Sequence, residues 1–400
     1  ARIVVYSSAV PATHPELVRA RALGIPVVRR AEALGEAVRK ATLVAIAGTH
    51  GKTTTTVMTT EALAAAGFDP VGIAGGRVAA WGSNLRPGDG PCVVVEADEY
   101  DRSFLALTPT VAVVLNVEAD HLDIYRDLDD ITRTFTQFLQ PARSVVLCRD
   151  DAGASALPQD ATRELVRYAV ARESSASADA VGDARLVAHD VVLDATGARA
   201  RVTFDGRDQG VLELRVPGLH NVRNALAALG AGLMVGACVP DMLPGLARFT
   251  GVERRFQSLG EEAGRLLVDD YAHHPTEVAA TIAAARAAHP ARRLVVAFQP
   301  HLYSRTRDFA AAFAEALVHA DVCALCEIYP AREQPIAGVS AALIAEAMQR
   351  AGRAPAWTGA RADCADALAA LTRDGDLVIT MGAGDITQVG PQLLARWRTP

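Results

Sequence analysis

An α/β fold with more than one domain is what this sequence predicts, on three observations. Apolar runs such as CVVVEAD (residues 92–98) and TVAVVLNVEAD (110–120) end in acids. Strands buried on both faces of a parallel sheet look like this, with polar residues at their C-terminal ends. The strand-like runs alternate with helical stretches. The alternation restarts near residues 249–251 after a differently patterned segment, and 400 residues are too many for one ordinary core.

Taken in order, RIVVYSSAV, HPELVRARALG and IPVVRR read as a βαβ fragment over the first forty residues. TLVAIAG (42–48) is a second strand, followed by a loop and a helix that closes near Gly67, a C-cap signal. SVVLCRDD (144–151) continues the parallel series, and residues 171–186 are small and polar, as in a loop. Between 186 and 218 the alternation and turn signals fit an antiparallel sheet, and HNVRNALAALGAGLMVG (220–236) fits a helix. RLLVDDYAHHP, RRLVVAFQPH, DVCALCEIYP and DLVITMGAGD then predict a doubly wound C-terminal domain with polar residues at its strand ends. No repeat of solenoid period is visible.

Half the residues are hydrophobic and 22% are charged, the profile of a soluble globular chain. The net charge of -6 supplies no basic excess to neutralise phosphates, which argues against nucleic acid as a partner. The longest uncharged apolar stretch, residues 225–239, is too short to span a bilayer and is broken by glycines, so no membrane insertion is expected. The chain leads directly into a strand with no signal peptide visible, and its six cysteines are scattered, as in a reduced cytoplasmic protein. Cys323 and Cys326 have C-x-x-C spacing but no second pair, and read as core positions of a buried strand.

Gly48-Thr49-His50-Gly51-Lys52-Thr53 follows an apolar strand and opens a helix, the context a phosphate-binding loop requires. It is a shortened version, since Ile46 stands where the usual pattern has its first glycine. Glycines let backbone N–H groups turn inward and the helix N-terminus favours anions. Lys52 would reach the β- and γ-phosphates and Thr53 would offer its hydroxyl to Mg²⁺. Two acidic clusters, Glu96, Asp98, Glu99 and Asp101, then Glu118, Asp120, His121 and Asp123, close neighbouring strands and could face the phosphates. Some of these acids would be helix caps or solvated charges instead. Asp270, His273, His301, Arg305 and Arg307 offer mixed charge for a carboxylate and an amine, although AHHP also fits a plain capped turn with Pro275 first in its helix.

The segments AGTHGKTTTT, EADEYDRSFL, NVEADHLDIY, PGLHNVRNALAA, GVERRF, DDYAHHPTEV, FQPHLYSRTRDF and GAGD occur in this order. Over essentially the whole chain the sequence resembles the Mur ligase family, and within it the members that act on alanine. The resemblance implies three domains. These are a partial Rossmann-like N-terminal domain (1–40), a central ATPase-type parallel sheet with a small antiparallel sheet (41–248), and a Rossmann-like C-terminal domain (249–400). It also implies an ATP-dependent ligase that joins L-alanine to the lactyl carboxylate of UDP-N-acetylmuramic acid through an acyl phosphate, with Mg²⁺, as a cytoplasmic monomer or homodimer. By motif position Gly48, Thr49, Gly51, Lys52, Thr53 and Thr54 would hold the nucleotide phosphates. Asn221 and Asn224 would contact adenine, and Thr53, Glu96 and His121 would serve the metal. Arg255 and Asp270 would reach the nucleotide on closure; Lys52, Glu96, His121 and Asp270 form the implied catalytic set. Ser7 and Ser8 would touch the nucleotide sugar, while His273, His301 and Arg305 would take the amino acid.

Two departures from the family pattern stand out. The glycine-rich turn that opens the family's first domain is missing, which suggests a fragment, and Leu302 occupies a position where many relatives carry arginine. Two alternatives stay open on the sequence: a recycling ligase that adds a tripeptide to the same sugar, and an ATP-binding chain that no longer ligates.

Overall fold

The computed structural model describes residues 1–171 and 181–398. Most of the loop expected at 171–186 therefore lies outside the described residues. The chain forms two compact units, Ala1–His189 with Arg201–Gly210 and Arg223–Leu246, and Asp190–Ala200 with Val211–Val222 and Ala247–Pro400. No helix among the described residues is long and apolar enough to cross a membrane.

The first unit opens with β1 (Val4–Tyr6), α1 (Pro15–Ala22) and β2 (Val27–Arg29), a βαβ unit whose two strands pair in parallel. Helix α2 (Arg30–Val38) follows. The central sheet then begins with β3 (Thr42–Ala47), and α3 (Lys52–Ala65) follows the loop. Gly67, just beyond α3, has φ +85°, the left-handed C-terminal position the sequence suggested. The order continues with β4 (Val71–Val78), β5 (Ser83–Arg86), β6 (Cys92–Glu96), β7 (Val111–Val114), α4 (Leu128–Leu139), β8 (Ser144–Cys148), α5 (Ala152–Ser155) and β9 (Glu164–Val170). Strands β10 (Leu186–Asp194), β11 (Gly197–Phe204) and β12 (Arg207–Leu214), then helices α6 (Leu219–Met234) and α7 (Val239–Arg248), complete this part of the chain.

The sheet order is β12–β11–β10–β9–β8–β7–β3–β6–β4–β5. The strands expected as a small antiparallel sheet do not stand apart. β10 pairs in parallel with β9, Leu186 opposite Tyr168, and so covers an edge that would otherwise be open. β7 and β8 are buried at every position and β3 at all but its first, as helix-covered parallel strands must be. Their register decides where chemistry sits: Ile46 lies opposite Glu96, and Ala47 opposite Val114. The loop after β3 and the polar ends of β6 and β7 therefore meet at the C-terminal ends of these parallel strands.

Helix α4 shows how the acidic end of β6 is fixed. Its buried residues Ile131, Thr134, Phe135, Phe138 and Leu139 follow helical spacing, and Asp127 caps it by accepting the Asp130 N–H at 2.8 Å. Phe104, in the short turn Tyr100–Ala106 after β6, stacks on Phe138 at 4.7 Å and meets Phe135 edge-on at 5.1 Å.

The second unit carries a six-stranded sheet, built from β13 (Gln257–Glu262), β14 (Arg265–Asp270), α8 (Pro275–Ala288), β15 (Arg293–Phe298), α9 (Tyr303–Leu317), β16 (Val322–Cys326), α10 (Ala342–Arg350), β17 (Trp357–Gly359), α11 (Cys364–Leu371), β18 (Asp376–Met381) and α12 (Val389–Arg398). The order is β13–β14–β18–β15–β16–β17, parallel except for the hairpin strand β13. Val296 and Phe298 join one core with Phe313 and Ile344, while Val295 and Ala297 join another with Leu368 and Leu393. That alternation along β15 is what a sheet covered on both faces needs. Cys323 and Cys326 are buried in β16 as structural thiols. Because β18 inserts between β14 and β15, the connections diverge there and open a crevice at the strand ends.

Phe104→Ala should cost about 3–5 kcal/mol, the usual range for emptying an aromatic core position. Urea unfolding followed by far-UV circular dichroism reads it, and a loss below 1 kcal/mol would mean that the Phe104–Phe138 stack does not anchor the turn.

Candidate active site

The shortened loop has a structural reason. Ile46 is fully buried within β3 and its carbonyl accepts the Ala97 N–H at 2.8 Å, so the strand continues past the position where the usual loop begins. Gly48 then turns with φ +143°, and a side chain there would sit 2.9 Å from Leu115 Cβ. Gly51 has φ +82°, and a Cβ would lie 2.6 Å from Asn224 Oδ1. Both positions need glycine for conformation and for space.

Asn116, two residues past β7, clamps the loop. Its Oδ1 accepts from His50 N at 2.7 Å, its Nδ2 donates to His50 O at 3.2 Å, and its carbonyl accepts from Thr49 N at 3.2 Å. The Thr49 hydroxyl oxygen in turn accepts from Glu118 N at 3.0 Å, and His50 Nε2 lies 3.5 Å from the Glu118 carboxylate. The sequence reading passed over Asn116. Its one signal was an asparagine between an apolar run and the acidic cluster.

Lys52 and Thr53 open α3, and each meets a carboxylate from the end of β6. Lys52 Nζ donates to Gly48 O at 2.8 Å, Thr49 O at 3.3 Å and Glu99 Oε1 at 2.9 Å, with Glu99 Oε2 at 2.7 Å. Thr53 Oγ1 donates to Glu96 Oε1 at 3.0 Å, and Glu96 Oε2 accepts from Gly75 N at 2.5 Å. Thr54 is buried in the same first turn. His121, with φ +52°, places Nε2 at 3.8 Å from both Glu99 and Asp120, and its ring packs edge-on against Tyr100 at 5.0 Å. Asp98 accepts from Tyr100 N, and Asp101 pairs with Arg29 at 3.2 Å, so these two acids serve turns and ion pairs.

Burial pushes the Glu99 carboxyl up, to about 7, against the pull of Lys52. For Lys52 burial works downward, but Glu99 and Asp98 more than offset it and hold the ammonium protonated. A hydroxyl, carboxylates and an imidazole around a phosphate loop form a hard, mostly oxygen donor set that suits magnesium.

Asn221 and Asn224 stand three apart on α6, hence on one face. Asn224 reaches Gly51, as above, and Asn221 Nδ2 donates to Pro217 O at 2.7 Å. Ser7 and Ser8 lie in the exposed turn after β1, where Ser7 Oγ accepts from Ala9 N at 3.3 Å.

In the second unit the strand ends of β14, β15 and β18 gather a different set. Both Asp270 oxygens are engaged, accepting from Phe256 N and Ala272 N at 2.7 Å each, so Asp270 organises the backbone beside Arg255 and His273. Arg255 reaches Glu277 at 3.4 Å and packs over the Tyr271 ring at 5.1 Å. His274 caps α8 with Pro275 first in the helix, the plain alternative raised for AHHP. Its neighbour His273 sits differently. His273 Nδ1 lies 3.0 Å from Tyr271 O and 3.1 Å from Glu277, two acceptors that place the proton on Nδ1. The His273 and His301 rings are 5.9 Å apart, and His301 stacks on Tyr329 at 5.8 Å. Arg305, 5% exposed, brings Nη1 to 3.5 Å from His301 Nδ1. Leu302 between them adopts φ +71°, strained for a branched residue, at the start of α9. Arg307 instead pairs with its exposed neighbour Asp308. Glu277 and Tyr329 were not singled out from sequence, because a glutamate in a first helical turn looks like a cap and a lone tyrosine carries no spacing.

Fold and loop define the class: an α/β protein with a phosphate-binding loop at the C-terminal end of a central strand of its sheet, joined to a doubly wound unit. The chain belongs to the Mur ligase family. The family's catalytic-domain model matches residues 1–42, its middle-domain model 46–232 and its glutamate ligase domain model 254–384. Relatives include the UDP-N-acetylmuramate–L-alanine ligase of Salinibacter ruber, 44% identical over 96% of this chain and 80% of the relative. The ligase of the same name from Streptomyces avermitilis is 43% identical over 99% of this chain and 84% of the relative. Among solved structures, the UDP-N-acetylmuramate–alanine ligase of Thermotoga maritima superposes with a TM-score of 0.82 at 26% identity, covering 100% of this chain and 85% of that one.

Burial holds the Asp270 carboxyl up at about 6, above its ordinary 3.8, with Arg255 pulling the other way. The folded state therefore keeps this proton to higher pH than the unfolded chain, and stability falls as pH rises from about 4 to 6, by on the order of 3 kcal/mol for the full shift. Asp270→Asn should flatten that fall. Urea midpoints at pH 4, 5, 6 and 7 read it, and an unchanged slope in the variant would exclude Asp270 as its source.

Proposed function

We propose that this chain is an ATP-dependent amide ligase that joins L-alanine to the lactyl carboxylate of UDP-N-acetylmuramic acid. One observation carries the substrate assignment: relatives 43–44% identical over 96–99% of this chain bear the name UDP-N-acetylmuramate–L-alanine ligase. The loop geometry supports the use of ATP, and both points favour cytoplasmic action in the supply of peptidoglycan precursors.

A carboxylate is a poor acyl donor until one oxygen becomes a good leaving group. Transfer of the γ-phosphoryl group of ATP to the lactyl carboxylate releases ADP and makes the acyl phosphate. The alanine amine attacks its carbonyl, the amine proton is lost, and the tetrahedral adduct expels phosphate to leave the amide. Gly48, Thr49, Gly51 and Thr54 shape the phosphate cradle, and the Lys52 ammonium stabilises charge on the transferred group. Thr53, Glu96 and His121 are the residues that would hold magnesium, which supplies neutralisation between the phosphates and the incoming carboxylate. Asn221 and Asn224 are assigned to adenine, and Ser7 and Ser8 to the nucleotide sugar.

Arg305 is assigned to the alanine carboxylate, since a buried guanidinium suits a planar anion. His301 and His273 line the approach, the latter with Nε2 as its acceptor nitrogen. Asp270 positions the backbone next to Arg255, whose guanidinium is assigned to the nucleotide. The functional division proposed is 1–40 for the nucleotide sugar, 41–248 for ATP and 249–400 for the amino acid; the second unit's run from Ala247 onward supports the last boundary.

Phosphate release with ATP, Mg²⁺, UDP-N-acetylmuramic acid and L-alanine, dropping each in turn, tests this reading. Release should need all four and yield a product heavier by one alanyl residue. Release with the tripeptide but not with alanine would favour the recycling activity instead. Lys52→Ala should cut turnover by at least about a thousandfold with unchanged circular dichroism, the scale of losing a main charge-stabilising group. Near-normal turnover in that variant would remove Lys52 from the mechanism.

A further inference from the structure

Glu99 is a carboxylate where a phosphate site has least use for one. It is only 3% exposed, stands beside Asp98 and three residues from Glu96, and contacts the ammonium meant for phosphate. Lys52 has three N–H donors, and all three are taken, by Gly48 O, Thr49 O and Glu99. A phosphate oxygen can reach Nζ only by displacing one of them. The two carbonyls belong to a loop clamped by Asn116 at His50 and Thr49. Glu99 reaches Lys52 through a side chain that can rotate, while its backbone carbonyl is held by the Tyr125 hydroxyl at 2.6 Å. Among the three acceptors, Glu99 is the one free to leave without dismantling the loop.

We propose that Glu99 is a displaceable internal anion, standing on Lys52 in the place that a nucleotide phosphate takes. In the empty loop it balances a buried ammonium that would otherwise be costly to keep. When nucleotide enters, the phosphates take over Lys52 and Glu99 is left next to like charge. Glu99 therefore weakens nucleotide binding in the absence of a divalent cation and makes tight binding depend on one. Its role is positioning and thermodynamic, through Lys52. The proposal rests on the reading of the loop as the nucleotide site.

The test is calorimetric binding of ATP to the full chain in EDTA and in Mg²⁺, at about pH 8.5 so that Glu99 is ionised, for wild type, Glu99→Gln, Glu99→Asp and Lys52→Ala. Glu99→Gln should bind ATP in EDTA at least about tenfold tighter than wild type, because one unit of opposing charge is removed near the phosphates. Its gain from Mg²⁺ should shrink by a similar factor, and without nucleotide it should melt at a lower temperature. Glu99→Asp keeps the charge and should stay near wild type in EDTA. Equal or weaker binding by Glu99→Gln overturns the proposal, because Glu99 would then hold Lys52 for the phosphate instead of competing with it. Tightening in Glu99→Asp as large as about tenfold overturns it too, and decides the matter if Glu99→Gln does not fold. Failure of wild type to bind ATP under either condition, or wild-type affinity in Lys52→Ala, would overturn the nucleotide reading itself, a distinguishable result.

Discussion

A buried ammonium needs anions, and the first unit is arranged around that need. Lys52 opens α3 at the end of the central sheet, where water is largely excluded and the helix N-terminus itself favours negative charge. Two carbonyls of its own loop and the Glu99 carboxylate meet the need in this structure, and the carboxylate's place depends on strand register. Because β3 and β6 run parallel with Ile46 opposite Glu96, the residues after each strand emerge side by side. One residue of slippage would turn Glu96 to the other face. The Phe104 stack on α4 and the Tyr125 hydroxyl then fix the turn that carries Glu99.

The second unit solves a related problem with different parts. Its crevice has no phosphate loop, and its order comes from carboxylates spent on backbone and side-chain donors. Asp270 accepts two backbone N–H groups, and Glu277 accepts from His273 N while contacting the His273 ring and Arg255. Glu277 thereby holds an imidazole and a guanidinium, while Asp270 holds the backbone beside them. Groups that carry charge to a reacting centre must be held in one orientation beforehand, and buried carboxylates do this at the cost of their own desolvation.

How the shortened loop works follows from the same economy. The loop has Gly48 and Gly51 in left-handed or crowded positions, and Asn116, two residues past β7, holds it at His50 through both side-chain atoms. Helix α6 adds Asn224 against Gly51, so a residue more than 170 positions later in the chain (224 − 51 = 173) completes the cradle.

Much of this was legible in the sequence. Strand-loop-helix order, the glycines and Lys52–Thr53 are local signals, and local backbone physics reads them within a few residues. The acidic ends of β6 and β7 were visible for the same reason, as were the doubly wound C-terminal strands and the capped start of α8. What stayed hidden depends on side chains that carry no local pattern. Asn116, Glu277 and Tyr329 act only on residues far away in the chain or placed by a neighbouring turn. Strands β4, β5 and β9 drew no attention, and the joining of β10 to β9 was missed because sheet edges are paired by proximity, not by sequence. The sequence by itself determined the order of elements and the reactive groups at their ends. Only the tertiary structure decided which acid meets Lys52 and which meets Thr53, since strand register and the packing of Phe104, not composition, set those distances.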